Sequence, residues 1–424
     1  MLNARSAVTI EDLRRRAKRR TPDFLFAPME TGAGKGAGSR RNVDRLRELL
    51  LAPRALVDIS SATQATSVFG RTYSSPFGIS AVGHAGNFRR DADLLLAQAA
   101  QAANIPFMVS GASSASIESI ARVAPDHVWY QLYGARDPKL TDRMINRARD
   151  VGVNVLVMTV DYPVPPRVEI IARSGVSPPA NVQARAIPYV IWELLKHPAW
   201  TLAFARQGGA QAPGSWAAYA PAGSSARAIA EVSKAQIPSN QTWKDVERIR
   251  RLWPGRFVIK GLVRADDARL AAELGVDAVT VSNHGGVKLD CMTATIDALP
   301  QVTNAVAHRI PVFFDGGIRN GPNVLAALCL GAQFCFVGRA TLYGVMAGGR
   351  AGADRAIQIL RDEVSHTMAM IGCPTIEQLG REFLVQPDDT AKPLGSDDLG
   401  PSPGASIPPA VPQSEHRSRK DRRA

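Results

Sequence analysis

From Pro76 onward the chain alternates short apolar runs with amphipathic, Ala-rich stretches. The runs are Phe77–Val82, Pro106–Ser110, Val128–Tyr133, Val155–Val160, Phe257–Lys260, Ala278–Ser282, Val312–Phe314 and Phe334–Val337. Most are rich in β-branched or aromatic residues, the signature of a strand buried on both faces. Between them, segments such as Asp91–Ala103, Pro138–Val151, Ala265–Leu274 and Asn323–Leu330 carry apolar positions at helical spacing. Eight strand-then-helix units predict an α/β fold, a closed parallel (β/α)8 TIM barrel over residues 76–385. A helix from Gly352 to about Met370 should close it.

The flanking pattern is different. Residues 1–75 read as a helical lead-in, started by a capping box at Thr9-Ile10-Glu11-Asp12. The cluster Arg14-Arg15-Arg16-Ala17-Lys18-Arg19-Arg20 is expected to be a solvated helix face. Gly32-Ala33-Gly34-Lys35-Gly36-Ala37-Gly38 follows no strand and has no phosphate-loop spacing, so a mobile loop is expected. An interruption at about 168–241, after the fourth run, is long enough for a lid or binding loop. Within it, Ile187–Ala205 combines Tyr189, Trp192, Trp200 and Phe204 with Glu193, Lys196, His197 and two prolines, which excludes a membrane span. It could lie in a membrane interface; packing as a lid or against another subunit is the preferred reading. Ala210–Ser225 is Gly-, Ala-, Ser- and Pro-rich and expected to be mobile, and the Pro-rich segment 386–424 to be a disordered tail.

Composition adds limits. Of 424 residues, 45% are hydrophobic and 21% charged, which suits a soluble globular protein. Cys291, Cys329, Cys335 and Cys373 make no CxxC pair and no metal-ligand spacing, so a cytoplasmic protein without a metal is expected. The net charge is +13, and about half of the excess lies in residues 1–50. No aromatic residue interleaves with the basic cluster Arg14–Arg20, which argues against nucleic acid; peripheral contact with the inner face of a membrane is the other reading of this charge.

In such a barrel the chemistry sits at the C-terminal strand ends. Here these carry Gly83-His84, Ser110, Gln131 with Tyr133, Thr159 with Asp161, Lys260, His284, Asp315-Gly316-Gly317-Ile318-Arg319 and Gly338-Arg339. Glycine amides and arginines after the seventh and eighth strands suit a phosphate. Lys260 ends an apolar strand, so its ammonium needs an anionic neighbour. A flavin mononucleotide offers both a phosphate and a ring that becomes anionic on reduction; Ser110, Gln131 and Thr159 would hold the ring edge. His284 with Asp161 forms a base and its orienting carboxylate, and Tyr133 can bond a substrate oxygen.

These motifs together resemble the FMN-dependent 2-hydroxy acid dehydrogenase and oxidase family, which includes glycolate oxidase, L-lactate dehydrogenase and mandelate dehydrogenase. The resemblance rests on Trp129-Tyr130-Gln131-Leu132-Tyr133, Met158-Thr159-Val160-Asp161, Val258-Ile259-Lys260-Gly261, Ser282-Asn283-His284-Gly285-Gly286, Asp315-Gly316-Gly317-Ile318-Arg319-Asn320-Gly321 and Gly338-Arg339. Pro22-Asp23-Phe24-Leu25-Phe26 and Trp243-Lys244-Asp245 are most similar to the L-lactate dehydrogenase branch. The resemblance implies FMN, with Ala81-Val82-Gly83 and Ser282 beside it, a small-molecule substrate and a homotetramer. His284 would take the alcohol proton during oxidation of a CH–OH group, with oxygen, a quinone or a protein as final acceptor.

The chain departs from the family at the substrate carboxylate. Val287 stands where an arginine is usual, and Phe26 where a tyrosine often is; an arginine after the fourth strand is shifted to Arg167. Either Lys288 or Arg167 replaces the anchor, or the substrate is not a small 2-hydroxycarboxylate. The alternatives are then a peptide-derived substrate, as in mycofactocin-associated relatives, or a flavin-binding accessory protein without turnover.

Overall fold

In the computed structural model, which describes residues 4–177 and 181–385, each apolar run becomes a barrel strand. The strands are β1 (Phe77–Ile79), β2 (Phe107–Val109), β3 (Val128–Leu132), β4 (Val155–Thr159), β5 (Arg256–Leu262), β6 (Ala278–Val281), β7 (Val312–Asp315) and β8 (Phe334–Val337). Neighbours are parallel and the ring closes in chain order, β8 pairing with β1. One set of side chains fills the interior: Met108, Trp129, Val157, Val258, Phe313, Phe334 and Phe336. The alternate set, including Ile79, Leu156, Ile259, Val279 and Phe314, packs in the layer shared with the helices. Burial on both faces is why these runs lack polar alternation.

An antiparallel hairpin, Thr66–Val68 with Arg71–Tyr73, precedes β1. Its turn residue Phe69 lies 5.7 Å, ring to ring, from both Trp129 and Phe313. Phe69 therefore plugs the barrel interior.

Three helices lead in: α1 (Ile10–Arg20), α2 (Asp23–Thr31) and α3 (Ala37–Arg47). The capping box forms, with the Asp12 N–H donating to Thr9 Oγ1 and the Thr9 N–H to Asp12 Oδ2. The basic face of α1 is not wholly solvated, because Arg14 turns to Glu30 at 2.7 Å. The glycine-rich stretch is packed rather than loose. Asp290 accepts from the Lys35 and Gly38 N–H groups at 3.0 and 2.8 Å. A Cβ at Gly34 would stand 2.5 Å from Asp290 Oδ2, so glycine is what lets the two segments meet.

The insertion between β4 and β5 is also more ordered than its composition suggests. In Ala210–Ser225, Ser215 Oγ and Trp216 Nε1 both donate to the Gly111 carbonyl, at 2.8 and 3.0 Å. A buried indole with a satisfied N–H anchors that stretch, whatever its Gly and Pro content. Helices Ile187–Lys196 and Pro198–Arg206 dock on α2 through the buried Glu193, which accepts from the Asp23 N–H at 2.7 Å, and through Phe24 against Trp200. Residues through Leu384 belong to one compact unit. The segment 386–424, expected to be a disordered tail, lies outside the described residues.

Candidate active site

After β6 the chain turns across the barrel mouth. His284 takes φ 56°, in the left-handed region, and opens a single 3-10 turn, His284–Gly286. A Cβ at Gly286 (φ 77°) would fall 2.3 Å from the Ser39 nitrogen, so α3 can pack there only against glycine. Asn283 and Asn42 of α3 exchange amide hydrogen bonds at 2.8 and 2.9 Å. The loop carrying the imidazole is thus clamped from the N-terminal segment, a contribution that no motif around Asn42 or Ser39 announces.

His284 Nδ1 donates to Asp161 Oδ1 at 2.8 Å, which leaves Nε2 as an acceptor, 3.3 Å from the Tyr133 hydroxyl. Asp161 reaches this position because Gly261 (φ 111°) has no side chain; a Cβ there would be 2.8 Å from Asp161 Cγ. The β5–β6 register shifts at the same place. Burial holds the imidazole below its ordinary pKa; Asp161 opposes this, and the charges of Lys288 and Lys260 add to it. Burial pushes Asp161 up, but His284 and the two lysines outweigh it, so it stays an anion below its usual range. Burial raises the Tyr133 phenol above its ordinary value, with Asp161 adding to the effect, which keeps it protonated as a donor.

Lys260 is 3% exposed, and its ammonium lies 2.8 Å from both Asp315 Oδ2 and Ser282 Oγ. The chain thus supplies the counter-charge that the sequence assigned to a ligand. Asp315 Oδ2 also accepts from Ser80 Oγ at 3.1 Å. Nearby, Gln131 Oε1 accepts from the Gly111 N–H and Ser110 Oγ, at 3.0 and 3.3 Å. That fixes the amide and leaves Gln131 Nε2 buried without a partner among the described residues, as is Thr159 Oγ1. Thr159 is the cross-strand partner of Lys260.

These groups border a cavity of about 650 Å³. Ala81, Val82, Gly83, Tyr133, Lys260, His284, Val287 and Lys288 line it. So do Asp315, Gly316, Gly317, Arg319, Gly338 and Arg339. Ser110, Gln131, Thr159, Asp161 and Ser282 stand behind this wall. Two expected substrate contacts are not brought here. Phe26 is buried against Tyr343, and Arg167 is exposed and does not line the cavity, although Pro165 and Pro166 before it do. Arg339 lines the cavity with its guanidinium already engaged by the Met29 and Gly285 carbonyls and Ser39 Oγ, at 3.1, 2.8 and 2.9 Å. Its phosphate contribution would come mainly from the uncapped start of helix Arg339–Gly348. Arg319 donates to its neighbour's carbonyl at 3.0 Å and lies over the Tyr343 ring. The insertion adds a wall through helix Ala226–Ala235, including Arg227, Glu231 and Lys234.

A base with an orienting carboxylate, a buried ammonium and a glycine-lined anion cradle at one barrel mouth define an oxidoreductase-type site for a flat, phosphate-bearing cofactor. Comparison with known proteins agrees. Residues 17–386 match the model of the FMN-dependent dehydrogenases. The L-lactate dehydrogenase of Vibrio cholerae serotype O1 (strain M66-2) is 34% identical over 375 residues, 88% of this chain and 98% of the relative. That of Alcaligenes faecalis is 35% identical with the same coverage. A solved structure of the monotopic membrane protein (S)-mandelate dehydrogenase superimposes with a TM-score of 0.85 at 32% identity, covering 90% of this chain and 99% of that one. The chain belongs to the FMN-dependent dehydrogenase family, and its cofactor is FMN. The residues fit that group. The unpartnered donors Gln131 Nε2 and Thr159 Oγ1 suit the ring edge, Lys260 its anionic side, and Gly316, Gly317, Arg319 and Gly338 the phosphate.

Proposed function

We propose that this chain oxidises the CH–OH carbon of a 2-hydroxy acid to the 2-keto acid, with His284 as general base. The observation that carries this is the 2.8 Å bond from His284 Nδ1 to Asp161, which leaves Nε2 free to accept a proton at the cavity. Bound FMN supplies the two-electron acceptor. His284 Nε2 takes the hydroxyl proton, and Asp161 stabilises the imidazolium that results. The Tyr133 hydroxyl, already beside Nε2, donates to a substrate oxygen and orients it. Apolar walls from the loop after β4 and the insertion, including Tyr162, Pro165, Trp216 and Ile237, favour a bulky side chain over the methyl group of L-lactate. Anaerobic addition of (S)-mandelate or L-lactate to the FMN-loaded enzyme should bleach the flavin bands, mandelate faster. A flavin that neither compound bleaches would count against the reading.

The same reading includes a membrane. No helix among the described residues is long and apolar enough to cross one. Helix Ile187–Lys196 nevertheless exposes Ile187, Ile191 and Leu195, spaced on one face, with Trp192 beside them and Leu202 on the next helix. That apolar face, opposite the one docked on α2, suits an interfacial contact, and the similar (S)-mandelate dehydrogenase is a monotopic membrane protein. The chain should co-sediment with anionic vesicles, and Ile191→Glu with Leu195→Glu should release it; unchanged sedimentation would reject this face.

A further inference from the structure

Lys288 leaves the His284–Gly286 turn two residues beyond its end and reaches the same cavity. Its ammonium lies 3.3 Å from the centroid of Tyr162 and 5.9 Å from that of Tyr133. The tyrosine faces hold it, yet it makes no ion pair with a carboxylate among the described residues. From another wall, the end of β1, His84 lines the cavity with φ 55°. A left-handed conformation in a residue with a side chain costs free energy and is found disproportionately at ligand sites. The His84 N–H is fixed by the Ala112 carbonyl at 2.9 Å, whereas its Nδ1 is buried with no partner among the described residues.

Both groups are disfavoured as cations. Burial lowers Lys288 to about 8, with Asp161 opposing and Lys260 reinforcing the shift. Burial, and then the charge of Lys288, lowers His84. An anion bound beside them would reverse both effects. Of the other basic groups that line the cavity, Lys260 is engaged by Asp315 and Arg339 by two carbonyls and a hydroxyl, while Arg227 and Lys234 stand on the insertion helix Ala226–Ala235. Val287 offers no charge, and Arg167 is exposed and not among the residues that line the cavity.

We propose that Lys288 and His84 form a two-point anchor for the substrate carboxylate, replacing the arginine that Val287 lacks. This rests on the reading that the substrate is a 2-hydroxy acid. In such a molecule the carboxylate is one bond from the carbinol carbon. The Tyr133 ring, whose hydroxyl meets His284 Nε2, is also beside the Lys288 ammonium, so base and anchor have the matching adjacency.

The test uses the FMN-loaded enzyme and paired probes, (S)-mandelate and its uncharged amide, with benzoylformate as a non-reducing anion whose binding is read from the flavin absorbance. Lys288→Met should weaken benzoylformate binding and raise the KM for mandelate by about ten- to hundredfold, the range for a lost charge-assisted hydrogen bond. His84→Leu should do the same more weakly. Lys288→Arg should restore most of the affinity, and the amide's kcat/KM should fall several-fold less than the acid's, because its carbonyl can accept from the ammonium but brings no charge of its own. Equal losses for acid and amide, or unchanged benzoylformate binding in Lys288→Met, overturn the proposal. If Lys288-dependent anion binding persists in an enzyme that no hydroxy acid bleaches, the anchor stands and the proposed reaction fails.

Discussion

His284→Gln is expected to leave a yellow, folded protein whose flavin is bleached about 10²–10⁴ times more slowly by any hydroxy acid that reduces the wild type, the range for loss of a general base. Glutamine can still donate to Asp161, so the geometry around Tyr133 should survive and the loss should fall on turnover more than on binding. The pH profile supplies the sign. The base works as neutral imidazole, and burial holds its pKa below the ordinary value. Activity should therefore rise with pH through a point below the ordinary imidazole pKa. If Lys288 anchors the carboxylate, affinity should fall as pH passes about 8, where its ammonium deprotonates. Anaerobic stopped-flow bleaching across pH reads both limbs; a variant within tenfold of wild type would remove His284 from the reaction.

Lys260→Met should be destabilising as well as inactivating. The ammonium is buried 2.8 Å from Asp315, and removing it strands a carboxylate that is itself largely buried. Breaking one side of such a pair costs about 3–5 kcal/mol. Urea unfolding of the apoprotein should show that loss, and adding Asp315→Asn should recover part of it by removing the orphaned charge. FMN affinity should fall in both variants, because Lys260 also faces the cofactor cavity. An apoprotein with unchanged stability would mean that water, rather than the ion pair, satisfies Asp315.

The barrel was legible because its signal is local. A strand covered on both sides must be apolar throughout, and the polar residue that ends it marks the mouth, as Thr159 does on β4; β5 runs two residues past Lys260, to Leu262. The imidazole–carboxylate pair was legible for the same reason, since both members follow strand ends directly. The N-terminal half of the site was not. Ser39, Asn42 and Met29 contact the loop after β6 or Arg339 through packing between segments some 240 to 310 positions apart, and nothing in their neighbours signals it. Gly32–Gly38 read as loose because glycine marks freedom and close approach alike; the carboxylate of Asp290 decides between them. Lys260 shows the opposite error. Its buried ammonium does need a counter-charge, but Asp315 meets that need within the chain.

Phe69 has a consequence for traffic. A barrel whose interior is packed with side chains and covered at one end by an aromatic ring has its doorway at the other, beside helix Ala226–Ala235. Incoming hydroxy acid and departing keto acid must share that doorway in turn. Alternating half-reactions, with the product competing against the next substrate for entry, are the kinetic imprint expected of such a one-ended vessel.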